Sequence, residues 1–202
     1  MYSADVLSKL VVDDLGLSDE TRVELLVHQG GQNWRERNTT PLDKISHLRE
    51  GLRHEGPFSG ELVSIRRINH ELAALRNRIG GLDVVSVTSR VFDPAGAQVD
   101  QLAIMNLHTE GFGSIEALTE AISEVTGGVS GYLLESGRYY HFYGKELMSY
   151  REWVNFLTSF LMPCVLVSPR YIGHSLFRGF CSVRLTSADP HKPMVPRLLR
   201  VL

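Results

Sequence analysis

Two adjoining runs constrain this chain most. Asp83 to Phe92 reads DVVSVTSRVF, and Gln98 to His108 reads QVDQLAIMNLH. Both are rich in β-branched and apolar residues, which pack well on a pleated surface. Asp93-Pro94-Ala95-Gly96 separates them, and those residue types favour a turn. The pattern predicts two antiparallel strands joined as a hairpin.

Before Gly80-Gly81 the apolar spacing is helical rather than alternating. Val6, Leu7, Leu10 and Val11 predict one helix, and Val23, Leu26 and Val27 a second after Asp19-Glu20. Pro41 can open a third containing Leu42, Ile45, Leu48 and Leu52. The longest runs from roughly Gly60 to Ile79, with Leu62, Ile65, Ile68, Leu72 and Leu75 on one face, and the glycine pair closes it. Gly30 to Thr40 and the surroundings of Gly56-Pro57 read as connectors.

Beyond the hairpin the elements alternate. Ser114 caps a helix to Val125, and Gly127-Gly128 ends it. Gly131 to Glu135 is a short strand with Tyr139 to Tyr143 as its partner. Ser149 and Glu152 form a capping box for a helix through Leu161. Pro163 to Val167, Phe180 to Leu185 and Arg197 to Leu202 are strand candidates, with a helical turn around Tyr171 to Phe177. The expected class is α+β, with a helical region at 1–80 and a mixed sheet flanked by helices at 82–202.

Composition excludes whole classes. The 202 residues are 43% hydrophobic and 22% charged, which is a globular balance. Cys164 and Cys181 are the only cysteines, too few for a disulfide scaffold or a Cys-only zinc site. No apolar run approaches the length of a membrane helix. The opening MYSADVLSKLVVDDLG has acids among its apolar residues and no basic flank, so it is not read as a secretory signal. A cytoplasmic protein without a membrane partner is expected. The formal charge of −2 hides an asymmetry. Residues 1–137 carry 12 Lys/Arg against 20 Asp/Glu, a net of −8, and residues 138–202 carry 9 against 3, a net of +6. The basic part can attract phosphates, or the two parts can neutralise each other.

Four segments carry candidate chemistry. Asn106 and His108 alternate on one strand face, where they can ligate a metal or hold a substrate; a strand end emerging into solvent looks the same. In Glu135-Ser136-Gly137-Arg138-Tyr139-Tyr140-His141-Phe142-Tyr143, a buried strand enters a Ser-Gly turn and returns. There Ser136 and the Gly137 N–H can form a phosphate nest, Arg138 can grip phosphate in a fork, and His141 can contact it. The alternative is a hairpin with aromatic packing. Ser168 to Ser175 adds Arg170 and His174, or is simply a capped helix start. Arg184 leads from a strand into Thr186-Ser187 and on to Lys192, which suits a triphosphate or a nucleic-acid backbone, or a solvated loop. No Walker loop, Gly-x-Gly-x-x-Gly, His-Glu-x-x-His or Gly-x-Ser-x-Gly occurs.

Taken in order, the two-position strand, the Ser-Gly-Arg-x-x-His element and the late Arg-Leu-Thr-Ser…Lys-Pro resemble the archaeo-eukaryotic primase superfamily, the primase-polymerases. The likeness is closest to its small bacterial primase-like branch and covers roughly residues 82–200. ESGRYYHFYG is its most specific part. The resemblance implies a template-dependent nucleotidyltransferase in which acids hold two Mg²⁺ or Mn²⁺ ions. Asn106 and His108 occupy the first-motif positions of catalysis and metal binding. Ser136, Gly137, Arg138 and His141 match the phosphate element, with Arg184 and Lys192 assisting. The third acid belongs near Ser168, where none stands. Asn106 is neutral and His108 suits hard cations poorly. Glu110, Asp100, Glu135 and Asp189 are the acids that could substitute.

The expectation is therefore a primase-like protein that binds nucleotide triphosphate or nucleic acid, with transfer weak or lost. It would act as a subunit of a nucleic-acid-processing assembly, with a protein partner docked on the acidic N-terminal region. The alternatives are an active primase-polymerase with a variant metal site, and a non-enzymatic interaction module.

Overall fold

The computed structural model describes residues 1–29, 60–108, 113–163, 165–188 and 192–202. Helix α1 (Ser3–Lys9) continues into a π-helical turn, Leu10–Asp14. Strands β1 (Arg22–Gln29) and β2 (Gly60–Ser64) follow, then a 3₁₀ turn (Ile65–Arg67) and α2 (Ile68–Arg78). The hairpin comes next, as β3 (Asp83–Phe92) and β4 (Gln98–Leu107). The remainder is α3 (Ile115–Thr126), β5 (Gly131–Glu135), β6 (Tyr140–Met148), α4 (Tyr150–Ser159), α5 (Pro169–Arg178), β7 (Ser182–Arg184) and β8 (Arg197–Val201).

The class is α+β, as expected. The hairpin forms at its predicted place, with Arg90 opposite Gln101 and Phe92 opposite Gln98. Ser114 caps α3 by accepting from the Ala117 N–H, and Gly127 leaves it at φ 70°. The Ser149–Glu152 capping box opens α4.

Three readings change. The helix expected around Val23 to Val27 is strand β1. RVELLVHQ is a short apolar run that periodicity cannot assign, and its edges pair on both sides, with β2 and with β3. The Gly60–Ile79 helix begins only at Ile68, because Gly60–Ser64 is the strand β2. Finally, Val165 to Val167 is bent chain rather than strand. It meets the chain just beyond β4, where the His108 N–H donates to the Leu166 carbonyl at 2.6 Å. The predicted helix from Pro41, the connectors at 30–40 and 56–57, Cys164, Glu110, Asp189 and His191 lie outside the described residues.

The strand order is β2-β1-β3-β4-β6-β5-β8, with β7 pairing β3, and every pairing is antiparallel rather than mixed. Strands β3 and β4 pair only over Arg90–Phe92 and then diverge. The first part of β3 takes β7 as its neighbour, with Ser86 opposite Arg184. Cys181 pins this wedge. Its N–H donates to Ser89 Oγ at 3.1 Å, and its thiol donates to the Ile104 carbonyl at 3.2 Å. One core runs through the molecule, from Val6, Leu7 and Leu10 of the N-terminal helical segment to Leu133, Phe142 and Trp153. It therefore takes in residues from both of the regions marked out in the sequence.

Candidate phosphate-binding site

The antiparallel register settles which polar groups share a face. Asn106 on β4 is opposite His141 on β6, and His141 is opposite Leu134 on β5. Cross-strand partners point the same way, so Asn106 and His141 lie side by side at the ends of their strands. One step further out, the His108 ring stacks on the Tyr139 ring, with centroids 4.3 Å apart and planes 15° apart.

Between β5 and β6 the chain turns at Ser136-Gly137. Gly137 has φ 102°, a left-handed conformation in which a side chain would be strained. The Ser136 N–H and its hydroxyl both donate to the Tyr139 carbonyl at 2.9 Å. Ser136 thus closes the turn, and its donors are used within it. Arg138 is exposed at the bend, with its guanidinium 5.6 Å from the Tyr139 ring centroid.

Arg184 reaches the underside of this turn. Its guanidinium donates to the carbonyls of Ser136 (2.6 Å), Met194 (2.6 Å) and Thr186. The side chain is buried and ties three segments together. Its partners among the described residues are carbonyls, which bring no negative charge. Lys192 brings a second cation, with Nζ 5.9 Å from the Tyr139 ring centroid. The backbone of Lys192 exchanges two bonds with Ala188, at 2.7 and 2.8 Å, which fixes the base of that loop. Among the described residues no carboxylate pairs with Arg184 or Lys192.

The electrostatics follow from that arrangement. Burial, then the neighbouring Arg184 charge, lowers the Lys192 pKa from its ordinary value. Burial also lowers Arg184, to about 10. His141 falls to about 3, through burial first and then repulsion by Arg184 and Lys192. It is therefore a neutral imidazole at ordinary pH. Its Nδ1 is buried without a hydrogen-bond partner among the described residues, as is the Tyr143 hydroxyl on the same face. Burial raises the Tyr143 pKa, so that phenol stays protonated.

Of the four acids that could substitute, Glu135 and Asp100 lie among the described residues. Glu135 is opposite Tyr140, on the face away from His141, and its carboxylate accepts from Arg197 at 3.0 Å. Asp100 is opposite Val91, near the far end of β4. Ser168 stands at the N-cap position of α5, makes no side-chain capping bond, and offers a hydroxyl in place of an acid. Among the described residues no three His, Cys, Asp or Glu side chains gather as a ligand set. Among the described residues the donors at this end of β4 are one amide and one imidazole, which do not fit two hard divalent cations.

The site thus brings Asn106, His108 and His141 to one edge of the sheet. Ser136, Gly137 and Arg138 form the adjoining turn, with Arg184 beneath it and Lys192 beside it. Tyr139 is the residue the sequence reading passed over. Its ring meets His108, Arg138 and Lys192. The available signal was an aromatic residue next to an arginine in a turn, which equally describes ordinary hairpin packing.

The acids of the N-terminal part are largely engaged within the fold. Glu24 pairs with Arg90, Glu20 with Arg66, Glu61 with Arg78, and Asp14 with Lys145. Cations of the C-terminal part take Glu116 and Glu135 as well. Part of the charge asymmetry is therefore internal neutralisation.

Comparison with known families agrees with this fold. The model of the AEP-like family, described as archaeo-eukaryotic primase 1D-like, matches residues 66–197. The match covers well over half of the chain, which belongs to this primase-like family. No curated protein and no solved structure gives a match. Among the described residues no helix is long and apolar enough to cross a membrane.

Proposed function

We propose that this primase-like protein binds the phosphates of a nucleoside triphosphate or of a nucleic-acid end at the Ser136–His141 turn, and that nucleotidyl transfer there is weak or lost. The observation that carries the reading is the pair of half-desolvated cations, Arg184 and Lys192, without a carboxylate partner among the described residues. A bound polyanion would relieve their mutual repulsion. Arg184 is committed to three carbonyls, so it supplies field more than contact. Lys192 and Arg138 are the contacts, and the neutral His141 offers its ring without adding charge. Asn106 and His108 border the site, and among the described residues no ligand set for a catalytic two-metal centre gathers around them. A site that holds phosphates without reacting suits a subunit of a nucleic-acid-processing assembly whose chemistry lies in another component.

The test is calorimetric titration with ATP and with a 5′-phosphorylated single-stranded oligonucleotide at low salt. Lys192→Gln and Arg138→Gln should each weaken both ligands roughly fivefold to tenfold. Each should also flatten the salt dependence of the oligonucleotide by about one phosphate contact. No binding by the unaltered protein would overturn the reading. So would affinities that the double variant leaves unchanged, or efficient incorporation of labelled nucleotides with Mg²⁺ or Mn²⁺ on a primed template.

A further inference from the structure

Four arginines lie on the 3₁₀ turn and α2, and acids answer three of them. Arg66 pairs with Glu20, Arg67 with Glu71 and Arg78 with Glu61. Arg76 is exposed on α2, and no carboxylate among the described residues pairs with it. Its guanidinium crosses to the C-terminal part of the chain instead, where Nη2 donates to Ser187 Oγ at 3.4 Å. Nothing local in the sequence sets Arg76 apart from its neighbours; the fold does so by laying α2 beside that loop.

Ser187 stands in the stretch that the cation cluster already holds. The carbonyl before it, on Thr186, accepts from Arg184. The residue after it, Ala188, exchanges backbone bonds with Lys192 at 2.7 and 2.8 Å. Cations therefore meet consecutive residues of one loop: Arg184 at Thr186, Arg76 at Ser187, and Lys192 opposite Ala188. The two hydroxyls of that loop have different duties. Thr186 Oγ1 accepts from the Val85 N–H at 2.9 Å, so it serves the fold. Ser187 is half-buried, its oxygen accepts from Arg76, and its own proton has no acceptor among the described residues. A guanidinium and a hydroxyl side by side then present donors, which suit the oxygens of a phosphate.

We propose that Arg76 and Ser187 form a second phosphate position, so that the site takes a chain of two or more linked phosphates, as on a nucleoside diphosphate or triphosphate, in preference to a single phosphate monoester. Lys192 and Arg138 hold one phosphate at the Ser136–His141 turn. Arg76 and Ser187, one residue before the Ala188–Lys192 pairing, hold another. Arg184 lies under both and answers the added negative charge. The proposal rests on the phosphate-site reading and deepens it, from a phosphate of any kind to an oligophosphate. It also gives the N-terminal half of the chain a direct contact with the ligand.

The experiment titrates AMP, ADP and ATP into the same proteins by calorimetry at low salt. ADP and ATP should bind the unaltered protein at least roughly tenfold more tightly than AMP. Arg76→Gln should weaken ADP and ATP roughly fivefold to tenfold and leave AMP unchanged, and Arg76→Lys should recover part of the loss. Ser187→Ala should weaken ATP roughly twofold to threefold. Arg76 is exposed, so its variants keep the fold, and their melting temperatures should match the unaltered protein. If ATP binds no better than AMP, or Arg76→Gln leaves ATP untouched, the second position is wrong and the phosphate site stands. An equal loss for AMP and ATP would also overturn it, since Arg76 would then act on the cluster as a whole. A lower melting temperature with unchanged affinities would make Arg76 a tether between α2 and the loop, and the proposal would fall. If no nucleotide binds the unaltered protein, both the second position and the phosphate site fail.

Discussion

Arg184 holds carbonyls from Ser136, Thr186 and Met194, and so joins the turn, the β7 exit and the last loop. Replacing it leaves three buried acceptors short of a charged donor. Arg184→Met should lower stability by about 3 kcal/mol, read from urea unfolding. His141 gives a pH signature. Its pKa is about 3 in the folded protein against 6.5 for an ordinary histidine. Below pH 6.5 the unfolded chain binds a proton that the folded one refuses, so stability falls as pH drops from 6.5 towards 3. Between pH 7.5 and 5.5 the loss should be about 1 kcal/mol, and His141→Gln should remove it. The imidazole resonances of His141 should not titrate above pH 5. Sequence spacing placed Asn106 and His108 on one strand face, since period-two alternation needs no tertiary knowledge; that His141 lies beside Asn106 depends on the pairing of β4 with β6. It could not tell that Ser136 spends its donors inside the turn or that Arg184 is anchored from below. Both depend on which loop passes under the hairpin, and nothing local in the sequence encodes that.

Individual elements were legible where a cap or a turn marks them. Ser149 accepts from the Glu152 N–H while the Glu152 carboxylate accepts from the Ser149 N–H at 2.9 Å and its hydroxyl at 2.7 Å. Ser149→Ala should cost about 1 kcal/mol in thermal or urea unfolding. Position 131, the first of β5, has no room for a side chain. A Cβ there would sit 2.5 Å from the Tyr143 carbonyl and 2.6 Å from the Phe142 ring. Gly131→Ala should destabilise by about 1–3 kcal/mol, since backbone on one side and a packed ring on the other must shift. The elements misread, β1 and the first residues of 60–79, lack such marks. Leu25 and Leu26 are adjacent and both buried, which breaks the alternation expected of a one-sided strand. A strand in the middle of a covered sheet buries both faces and then looks like a helix segment.

At the scale of the whole molecule, β1 and β2 extend the sheet that bears the site, and α1 is tied to its far side of the chain. The Ser3 hydroxyl donates to the Leu185 carbonyl at 3.0 Å, and the Tyr132 hydroxyl donates to Asp14 at 2.5 Å, with Lys145 3.0 Å from the same carboxylate. Among the described residues Arg184 and Lys192, beside the Ser-Gly turn, have no carboxylate partner. The resemblance read from the sequence implies a pair of carboxylates at positions 106 and 108, where this chain has Asn106 and His108. The most direct test of this account is equilibrium dialysis of labelled ATP against the protein at low salt, with and without EDTA. Binding that persists in EDTA and weakens in Lys192→Gln is the predicted result. Binding that disappears with the chelator would contradict it, since phosphate would then be held through a metal ion rather than by the cations themselves.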